Sequence, residues 1–270
     1  MITSANNAQV KQIMQLNRKS RERKKQDVFL VEGLKMFREA PRERLVKTYV
    51  SESFFEDAGH GKVLDGIEYE LVKDSVFSQM CDTLTPQGIL TIVRQYHYSL
   101  EQIGNSDRMP LLLVLEDLQD PGNVGTIFRT AEGAGVTGII MTKNCVDIYN
   151  PKTIRSTMGS IYRVPFVCTD SLNEILEWFG ENDIVTYAAH LRGENFYDQE
   201  NYQKGTAFFI GNEGNGLTDE LSGRADRWIR IPMEGKLESL NAGVASAILM
   251  YEAARQRRAG IYSDERRKGV

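Results

Sequence analysis

From residue 111 onward, short apolar runs alternate with segments of helical spacing, and this alternation limits the possible folds more than any other feature of the chain. Strands that alternate with helices form a mostly parallel sheet covered on both faces, so we predict an α/β domain here. The predicted strands are 111–115, 138–141, 163–168, 183–188, 207–210 and 228–231. The predicted helices are 124–134, 150–156, 171–180, 218–222 and 241–258.

The first hundred residues carry a smaller α/β pattern of their own. Apolar side chains at helical spacing predict an amphipathic helix over 5–22. The remaining predicted elements are a helix over 33–40 and strands over 28–31, 46–50, 69–72 and 88–94. A polar stretch with glycine and proline follows and is typical of a linker. We therefore predict a first domain over 1–98, a linker over 99–110, a second domain over 111–260 and a charged tail over 261–270.

The charge of the chain is divided unevenly. The net charge is -4, yet residues 1–50 contain 12 Lys/Arg against 5 Asp/Glu, which leaves 21 against 32 for the remainder. Residues 18–25 carry six cations in eight positions, a density that favours contact with a phosphate backbone; a solvated helix end is the alternative. The candidate residues for contact with a nucleic-acid backbone are Arg18, Lys19, Arg21, Arg23, Lys24 and Lys25.

Several classes of protein do not fit the sequence. No apolar run approaches the roughly 20 residues of a membrane helix, and the opening residues lack the apolar segment of a signal peptide. The 3 histidines and 3 cysteines are widely spaced, which indicates neither a disulfide framework nor a metal site. We expect a soluble cytoplasmic protein without a bound metal.

One motif match has to be rejected. Residues 133–138 read Gly-Ala-Gly-Val-Thr-Gly, which fits the GxGxxG pattern of dinucleotide-binding proteins. That fingerprint must follow a strand and begin a helix, because the helix N-terminus binds the pyrophosphate. Here it ends a predicted helix and leads into a strand. The glycines therefore indicate a helix stop and a turn.

Three other segments place polar residues where predicted strands end, and such strand ends are where open α/β sheets bind ligands. Residues 120–131 carry Asn123 in a predicted turn and Arg129 on the helix that follows; residues 208–217 surround Glu213 with glycines; residues 229–241 end in Ser239 and Asn241 at a helix start. Each segment also has a plain structural interpretation. Helix capping explains an isolated Asn, Thr218 as a cap explains the glycine-rich turn, and Ser239 alone is interpreted as a cap.

Together and in this order, the three segments resemble the signature of SpoU (TrmH-type) RNA ribose methyltransferases. The resemblance covers about residues 110–258, and residues 7–40 resemble the family's accessory RNA-binding domain of ribosomal-protein L30e type. It implies methyl transfer from S-adenosylmethionine to a ribose 2′-hydroxyl. It also implies a deep trefoil knot in the second domain and a homodimer formed through that domain.

The resemblance also implies roles for particular residues. The family's catalytic residues correspond to Asn123, Arg129, Glu213, Ser239 and Asn241. The family's cofactor-binding residues correspond to Ala189, His190, Leu191, Gly211, Asn212, Glu213, Gly216, Ile231, Met233 and Leu240. Arg is not deprotonated in proteins, so we expect Arg129 to orient the ribose and stabilise the developing alkoxide rather than to accept a proton. At position 243 the chain has glycine where the family usually has serine.

A separate basic N-terminal domain resembles that of enzymes acting on large-subunit ribosomal RNA, so 23S ribosomal RNA is the expected substrate. Three alternatives stay open at this point. The chain could methylate the ribose of tRNA, methylate a base with the same cofactor, or be a non-catalytic RNA-binding or ribosome-assembly protein with this fold. Four intact polar site residues argue against the last alternative.

Overall fold

The computed structural model describes residues 1–57, 59–104, 108–169 and 171–268, with residues 61 and 260–268 described by their backbone alone. The chain forms two compact units. Unit 1 comprises Met1–Tyr96 and Asp147–Tyr162, and unit 2 comprises His97–Val146 and Arg163–Val270.

The elements of the first 96 residues are α1 (Ala8–Arg18), α2 (Ser20–Gln26), β1 (Val28–Glu32), α3 (Leu34–Glu39), β2 (Leu45–Ser51), α4 (Glu52–Glu56), β3 (Tyr69–Val72), α5 (Asp74–Met80) and β4 (Ile89–Arg94). The elements that follow are α6 (Leu100–Gly104), β5 (Leu111–Leu115), α7 (Pro121–Ala134), β6 (Gly138–Thr142), α8 (Pro151–Thr157), β7 (Phe166–Thr169), α9 (Leu172–Glu181), β8 (Val185–Ala189), β9 (Asn195–Phe196), β10 (Thr206–Ile210), α10 (Asp219–Ser222), β11 (Arg227–Arg230) and α11 (Ala242–Lys268). Short 3₁₀ turns lie at Arg42–Arg44, Gly61–Leu64, Ser160–Tyr162 and Tyr197–Gln199.

Unit 1 is built on a mixed four-stranded sheet. The strand order is β1-β4-β2-β3, and only the β2–β3 pair is parallel. All four strands were predicted from the sequence. Val10, Ile13 and Leu16 on α1 are fully buried and pack with Leu30 and Tyr49 of the sheet. Their spacing of three residues is that of one helix face, which is why this polar segment docks as a helix.

The predicted helix over 5–22 is wrong in its extent, because two helices replace it. Asn7 caps the first helix by accepting a hydrogen bond from the Gln9 N–H at 2.8 Å. Lys19 adopts extended backbone angles (φ -119°, ψ 109°), which ends α1 and begins α2. The apolar spacing of α1 stops after Leu16, so nothing in the sequence of α2 holds it in line with α1.

The segment over residues 147–162 belongs to unit 1, although it lies within the predicted second domain. The Tyr149 hydroxyl accepts a hydrogen bond from the Tyr96 N–H at 2.7 Å and donates one to the Tyr96 carbonyl at 3.1 Å. The Tyr149 ring also lies 4.8 Å from the ring of Phe29. At the other end of the segment, the Tyr162 hydroxyl donates to the Met36 carbonyl at 3.1 Å. Buried aromatic hydroxyls with satisfied hydrogen bonds make this a specific contact.

Unit 2 is built on a seven-stranded sheet with the order β7-β6-β5-β10-β8-β11-β9, and all its neighbouring strands are parallel. The predicted α/β class is therefore confirmed. Every residue of β5 and β10 is buried, as expected for central strands covered on both faces. Helices α6, α9 and α10 contribute Ile103, Phe179 and Leu221 to a core on one face. Helices α7 and α11 contact each other, and α11 also contacts β10.

Two boundaries differ from the sequence prediction. Part of the predicted linker forms helix α6, and residues 105–107 lie outside the described residues. The predicted tail over 261–270 continues α11 as far as Lys268, beyond which residues 269–270 are not described. The trefoil knot stays a prediction, and the insertion of β10 between β5 and β8 is compatible with it.

Candidate active site

The three sequence segments meet at one edge of the unit 2 sheet. Strands β5, β10, β8 and β11 are consecutive neighbours and parallel, so their carboxyl ends lie side by side. The segments over 116–120, 211–218, 189–191 and 231–233 follow these four strands. This edge is where open parallel sheets bind ligands, because the strand ends leave a crevice lined by backbone and loop side chains.

Asn123 lies in the first turn of α7, not in the turn before it as the sequence suggested. Asp120 is the helix cap and accepts a hydrogen bond from the Asn123 N–H at 2.8 Å. Pro121 occupies the first helical position, where its missing N–H and fixed φ favour helix initiation. Because Asp120 caps the helix, the Asn123 side chain does not, and it is available for other contacts. At the far end, Gly135 adopts φ 78° and ends the helix, which confirms the interpretation of the glycines there as a stop.

A chain of hydrogen bonds joins three of the five predicted catalytic residues. The Asn123 Nδ2 donates to Glu213 Oε1 at 3.0 Å, and the Asn241 Nδ2 donates to Asn123 Oδ1 at 2.9 Å. These residues lie 90 and 118 positions apart in the sequence. The two contacts fix both ends of the Asn123 amide, so its orientation is determined by Glu213 and Asn241.

Asn241, not Ser239, caps α11. Its Oδ1 accepts hydrogen bonds from the Gly243 N–H at 2.9 Å and the Val244 N–H at 3.3 Å, while its Nδ2 donates to Asn123. Ser239 is exposed in the preceding loop and makes no hydrogen bond with the described residues. The prediction of Ser239 as a cap is therefore wrong, because a cap must lie directly before the helix.

The Glu213 carboxylate accepts hydrogen bonds from three donors. Besides Asn123, it accepts from the Gln119 N–H and the Asp120 N–H, both at 3.1 Å. Partial burial alone raises the pKa of Glu213, but the hydrogen bonds from Asn123, Gln119 and Asp120 together outweigh it, so the pKa lies below its ordinary value. Glu213 is therefore ionised at neutral pH and a poor proton acceptor. Its geometry suits it to hold Asn123 and the start of α7.

The glycine-rich loop after β10 is closed by its own backbone. A Cβ atom on Gly211 would lie 2.1 Å from the Gly216 carbonyl carbon and 2.2 Å from the Leu217 nitrogen, so only glycine fits there. Asn212 holds the loop from inside, since its Oδ1 accepts from the Gly214 and Asn215 N–H groups at 2.9 and 3.1 Å. Residues 213–216 are exposed, and since the Gly216 N–H and carbonyl pair with the Asn212 backbone, the groups left accessible to a ligand are the carbonyls of residues 213–215.

Sequence reasoning missed the residue that anchors the far end of this loop. Glu116 follows β5, is only 4% exposed, and accepts hydrogen bonds from the Thr218 N–H at 2.8 Å and the Thr218 hydroxyl at 2.7 Å. Thr218 in turn caps α10, as predicted, by accepting from the Leu221 N–H at 3.1 Å. The acidic residue directly after a buried apolar strand was the available signal, because a buried carboxylate requires hydrogen-bond donors.

The other predicted cofactor residues lie on the neighbouring loops. Ala189 ends β8, and the next residue, His190, donates its N–H to the Ile229 carbonyl at 2.9 Å and places its ring 4.4 Å from that of Trp228. Burial and, secondarily, the charge of Arg192 lower the pKa of His190, so its ring is neutral at pH 7. Leu191 is exposed, whereas Ile231, Met233 and Leu240 are partly buried on the loops after β11 and before α11.

Arg129 is separate from the hydrogen-bonded chain. It lies on α7 beyond the first turn, its side chain is exposed, and it makes no hydrogen bond or ion pair with the described residues. The guanidinium is therefore available to an external anion.

Five of the six predicted RNA-contacting residues are exposed on unit 1 and have no acidic partner within the described part of the chain: Arg18, Lys19, Arg21, Lys24 and Lys25. The sixth prediction, Arg23, is wrong as a surface contact. It is 2% exposed, and its guanidinium is 2.5 Å from Asp147 Oδ2. A buried cation requires a partner, and this one has found it within the protein.

Other features do not add to the site. A cavity of about 680 Å³ opens at the amino-terminal edge of the unit 2 sheet, beside residues such as Val185 and Gly205, and contains none of the motif residues. Within the described ranges, no cluster of three His, Cys, Asp or Glu side chains could hold a metal ion. No helix in the described part of the chain has the length and apolar character needed to span a bilayer.

The fold and the site define an α/β protein whose motif residues gather at the carboxyl edge of a parallel sheet and whose other unit carries a run of exposed cations. The SpoU rRNA methylase family model matches residues 110–251, and the model of the MRM3-like substrate binding domain matches residues 7–91. The chain belongs to the SpoU rRNA methylase family.

Individual relatives agree with this assignment. The chain is 31% identical over 252 residues to the 23S rRNA (guanosine(2553)-2′-O)-methyltransferase RlmP of Bacillus subtilis, covering 93% of this chain and 97% of that one. The fold resembles the SpoU methyltransferase AviRb of Streptomyces viridochromogenes, solved with the cofactor AdoMet, with a TM-score of 0.85, 25% identity and coverage of 93% and 98%. A structure described for 2′-OH methylation of C/U34 on tRNA has a TM-score of 0.52 and 29% identity; it covers 56% of this chain and 98% of its own.

Proposed function

We propose that this protein transfers a methyl group from S-adenosylmethionine to a ribose 2′-hydroxyl of 23S ribosomal RNA. The observation that carries the proposal is the hydrogen-bonded chain of Glu213, Asn123 and Asn241 at the carboxyl edge of the sheet in a SpoU family member. Each of these three polar side chains comes from a different segment of the sequence motif. Their convergence is what a positioned reaction site requires.

The residues at this edge fit S-adenosylmethionine. Gly211 allows the loop to close on itself, and the exposed carbonyls of residues 213–215 can accept hydrogen bonds from a planar base. The segments after β5 and β10 carry four carboxylates, and such a negative field is complementary to a sulfonium cation. The loops over 189–191, 211–216 and 231–233, with Leu240, would hold the cofactor. When bound, it supplies a methyl group already activated by the positive sulfur.

The chain's own residues then have to orient the ribose and favour its reactive form. Asn123 presents an amide with both ends fixed, and alignment of this kind supplies a large part of an enzymatic rate enhancement. Arg129 is exposed, permanently charged and without a partner among the residues that the structure describes, so it can bind the ribose and its phosphate and stabilise negative charge developing on the 2′-oxygen. Because Glu213 accepts three hydrogen bonds and its pKa is lowered, we assign it to positioning rather than to proton transfer.

The choice of ribosomal RNA is supported by the two-unit organisation. RlmP and AviRb match over both units, whereas the structure described for tRNA methylation covers 56% of this chain. The five exposed cations over residues 18–25 lie within the region that matches a substrate-binding domain. Five phosphate contacts would give binding that depends steeply on salt. Ribosomal RNA as the substrate implies that the protein acts in the cytoplasm.

We also infer that the protein is a homodimer formed through unit 2. Val244 and Tyr251 on α11 are large apolar residues, yet they are 48% and 47% exposed. Seven residues is about two helical turns, so both side chains lie on the same side of the helix. Apolar side chains on one face of a surface helix indicate a protein contact, and a second copy of the chain is the partner that the family resemblance implies.

The proposal is tested by incubating the protein with labelled S-adenosylmethionine and unmodified 23S ribosomal RNA, 16S ribosomal RNA and tRNA in separate reactions. We expect label in 23S ribosomal RNA alone. Label in tRNA alone would contradict the proposed substrate, although it would still support methyl transfer from S-adenosylmethionine to RNA. Cofactor binding without label in any pool would instead favour the non-catalytic alternative.

A further inference from the structure

The basic segment over residues 18–25 contains one cation with a different environment from the rest. Arg23 Nη2 and Nε donate to Asp147 Oδ2 at 2.5 and 3.1 Å, and its Nη1 donates to the Leu16 and Asn17 carbonyls at 2.5 and 3.2 Å. The two carbonyls belong to the last turn of α1, where no helical N–H is available to them. One guanidinium thus joins the end of α1 to Asp147.

Helix α2 depends on this side chain for its position. It has seven residues, all polar, and Arg23 is its only buried residue. A helix this short is not stable alone, and with no apolar face it gains nothing from hydrophobic packing. Gln26 at the end of α2 accepts a hydrogen bond from Gln12 Nε2 of α1 at 2.6 Å. Hydrogen bonds to a charged group are stronger than such neutral ones, so the four contacts of Arg23 contribute most to holding α2 in place.

Asp147 is itself held by its neighbours. Its Oδ1 accepts a hydrogen bond from the Tyr149 N–H at 3.0 Å, and its carbonyl accepts from the Asn150 N–H at 2.9 Å, at the start of α8. Asn150 caps that helix by accepting from the Lys152 N–H at 2.9 Å. Asp147 lies in the connection between β6 and β7, within the residues that match the methylase family. The ion pair therefore joins the basic segment over residues 18–25 to a well-held turn in the region that matches the methylase family.

We propose that Arg23 and Asp147 are positioning residues for RNA binding: their buried ion pair fixes α2 so that Arg18, Lys19, Arg21, Lys24 and Lys25 present one ordered surface to phosphates. This inference rests on the proposed function, because it assumes that these cations bind the substrate RNA. Order matters for affinity, since a flexible segment loses conformational freedom on binding and a fixed one does not.

The Asp147→Asn substitution gives opposite results under positioning and under simple electrostatics. Removing a negative charge near a basic segment strengthens RNA binding if only net charge matters. The positioning account predicts weaker binding, because the amide keeps the shape but loses the charge that holds Arg23. We expect about a tenfold increase in the Kd for an unmodified 23S ribosomal RNA transcript, measured by filter binding at fixed salt. The Kd for S-adenosylmethionine and kcat at saturating RNA should stay within about twofold, so the effect appears in KM.

Glu22→Gln is the matched control. It removes one negative charge from the same helix, where Glu22 makes no hydrogen bond or ion pair with the described residues, so RNA binding should be unchanged or tighter. Arg23→Lys provides a second variant that keeps the charge but not the forked geometry, and it should also weaken RNA binding.

The outcomes separate this inference from the function on which it rests. Wild-type protein that fails to bind the transcript would overturn both. If the wild-type protein binds the transcript and Asp147→Asn binds it equally well or more tightly, the positioning role alone is overturned. The positioning role is also overturned if Asp147→Asn loses cofactor binding in step with RNA binding, because that result indicates general unfolding. Weaker RNA binding with cofactor binding intact supports it.

Discussion

Replacing Gly211 by alanine should disrupt the proposed cofactor loop by a predictable amount. The added Cβ would lie 2.1 Å from the Gly216 carbonyl carbon and 2.2 Å from the Leu217 nitrogen, while ordinary contacts begin at 3.4 Å. The loop backbone therefore has to move by about 1.3 Å, because neither neighbour is a flexible side chain. Overpacking of this kind costs about 1–3 kcal/mol. If the loop must return to its native position to bind, the Kd for S-adenosylmethionine rises by about 5- to 150-fold.

Gly214→Ala is the matched control in the same loop. Its Cβ would meet only Asn212 Oδ1 at 3.5 Å, an ordinary van der Waals contact, so the Kd should stay within about twofold. Isothermal titration calorimetry with S-adenosylmethionine measures both variants, and thermal unfolding confirms that both are folded. Equal cofactor affinity of Gly211→Ala and Gly214→Ala would refute the reasoning, because the two changes differ only in the clash with backbone.

Four further predictions concern other parts of the molecule. Arg129→Ala should lower single-turnover methyl transfer by about 100-fold or more while the Kd for S-adenosylmethionine changes less than twofold; full activity would remove its proposed role. Because burial lowers the pKa of His190 in the folded protein, the unfolded chain binds the proton first, so the free energy of unfolding should decrease as pH falls below 6.5 and level off once the folded protein is protonated too. Affinity for the cofactor should decrease as the ring beside the cofactor loop becomes charged, and His190→Gln should flatten the pH dependence of the cofactor Kd measured by titration. Arg257 donates to four backbone carbonyls at 2.7–2.9 Å, so Arg257→Met should lower the free energy of unfolding in urea by about 2 kcal/mol, and an unchanged value would show these hydrogen bonds to be unimportant. Tyr251→Asp should convert a dimer to a 30.6 kDa monomer in analytical ultracentrifugation, and a wild-type monomer would contradict the proposed interface.

Periodicity predicted the main strands well because each is a short apolar run bounded by polar residues. All six strands predicted after residue 111 exist, and β9, with only two residues, was too short to recognise. Helices α4 and α5 were missed for a similar reason, since five and seven residues make at most two turns and show too little of the helical repeat to recognise. The break at Lys19 and the membership of residues 147–162 in unit 1 depend on packing between segments far apart in sequence, which local patterns do not record.

Within the site, the motif residues were predicted but their arrangement was not. Asn123, Glu213 and Asn241 were selected through the family resemblance, and the structure adds that Asn123 lies between the other two, donating to Glu213 and accepting from Asn241. Glu116 was missed because its role depends on Thr218, 102 residues away. Arg23 was assigned to RNA from its place in a basic run, whereas its burial follows from a carboxylate at position 147 that composition alone does not connect to it.

Nucleoside mass spectrometry of methylated 23S ribosomal RNA tests the central claim most directly. After transfer from labelled S-adenosylmethionine, the RNA is digested to nucleosides and the labelled methyl group is located on base or sugar. The site described here predicts a single 2′-O-methylated nucleoside, with label absent when Arg129→Ala replaces the wild-type protein. A methyl group on a base would contradict ribose methylation and favour a base-directed enzyme with the same fold and cofactor.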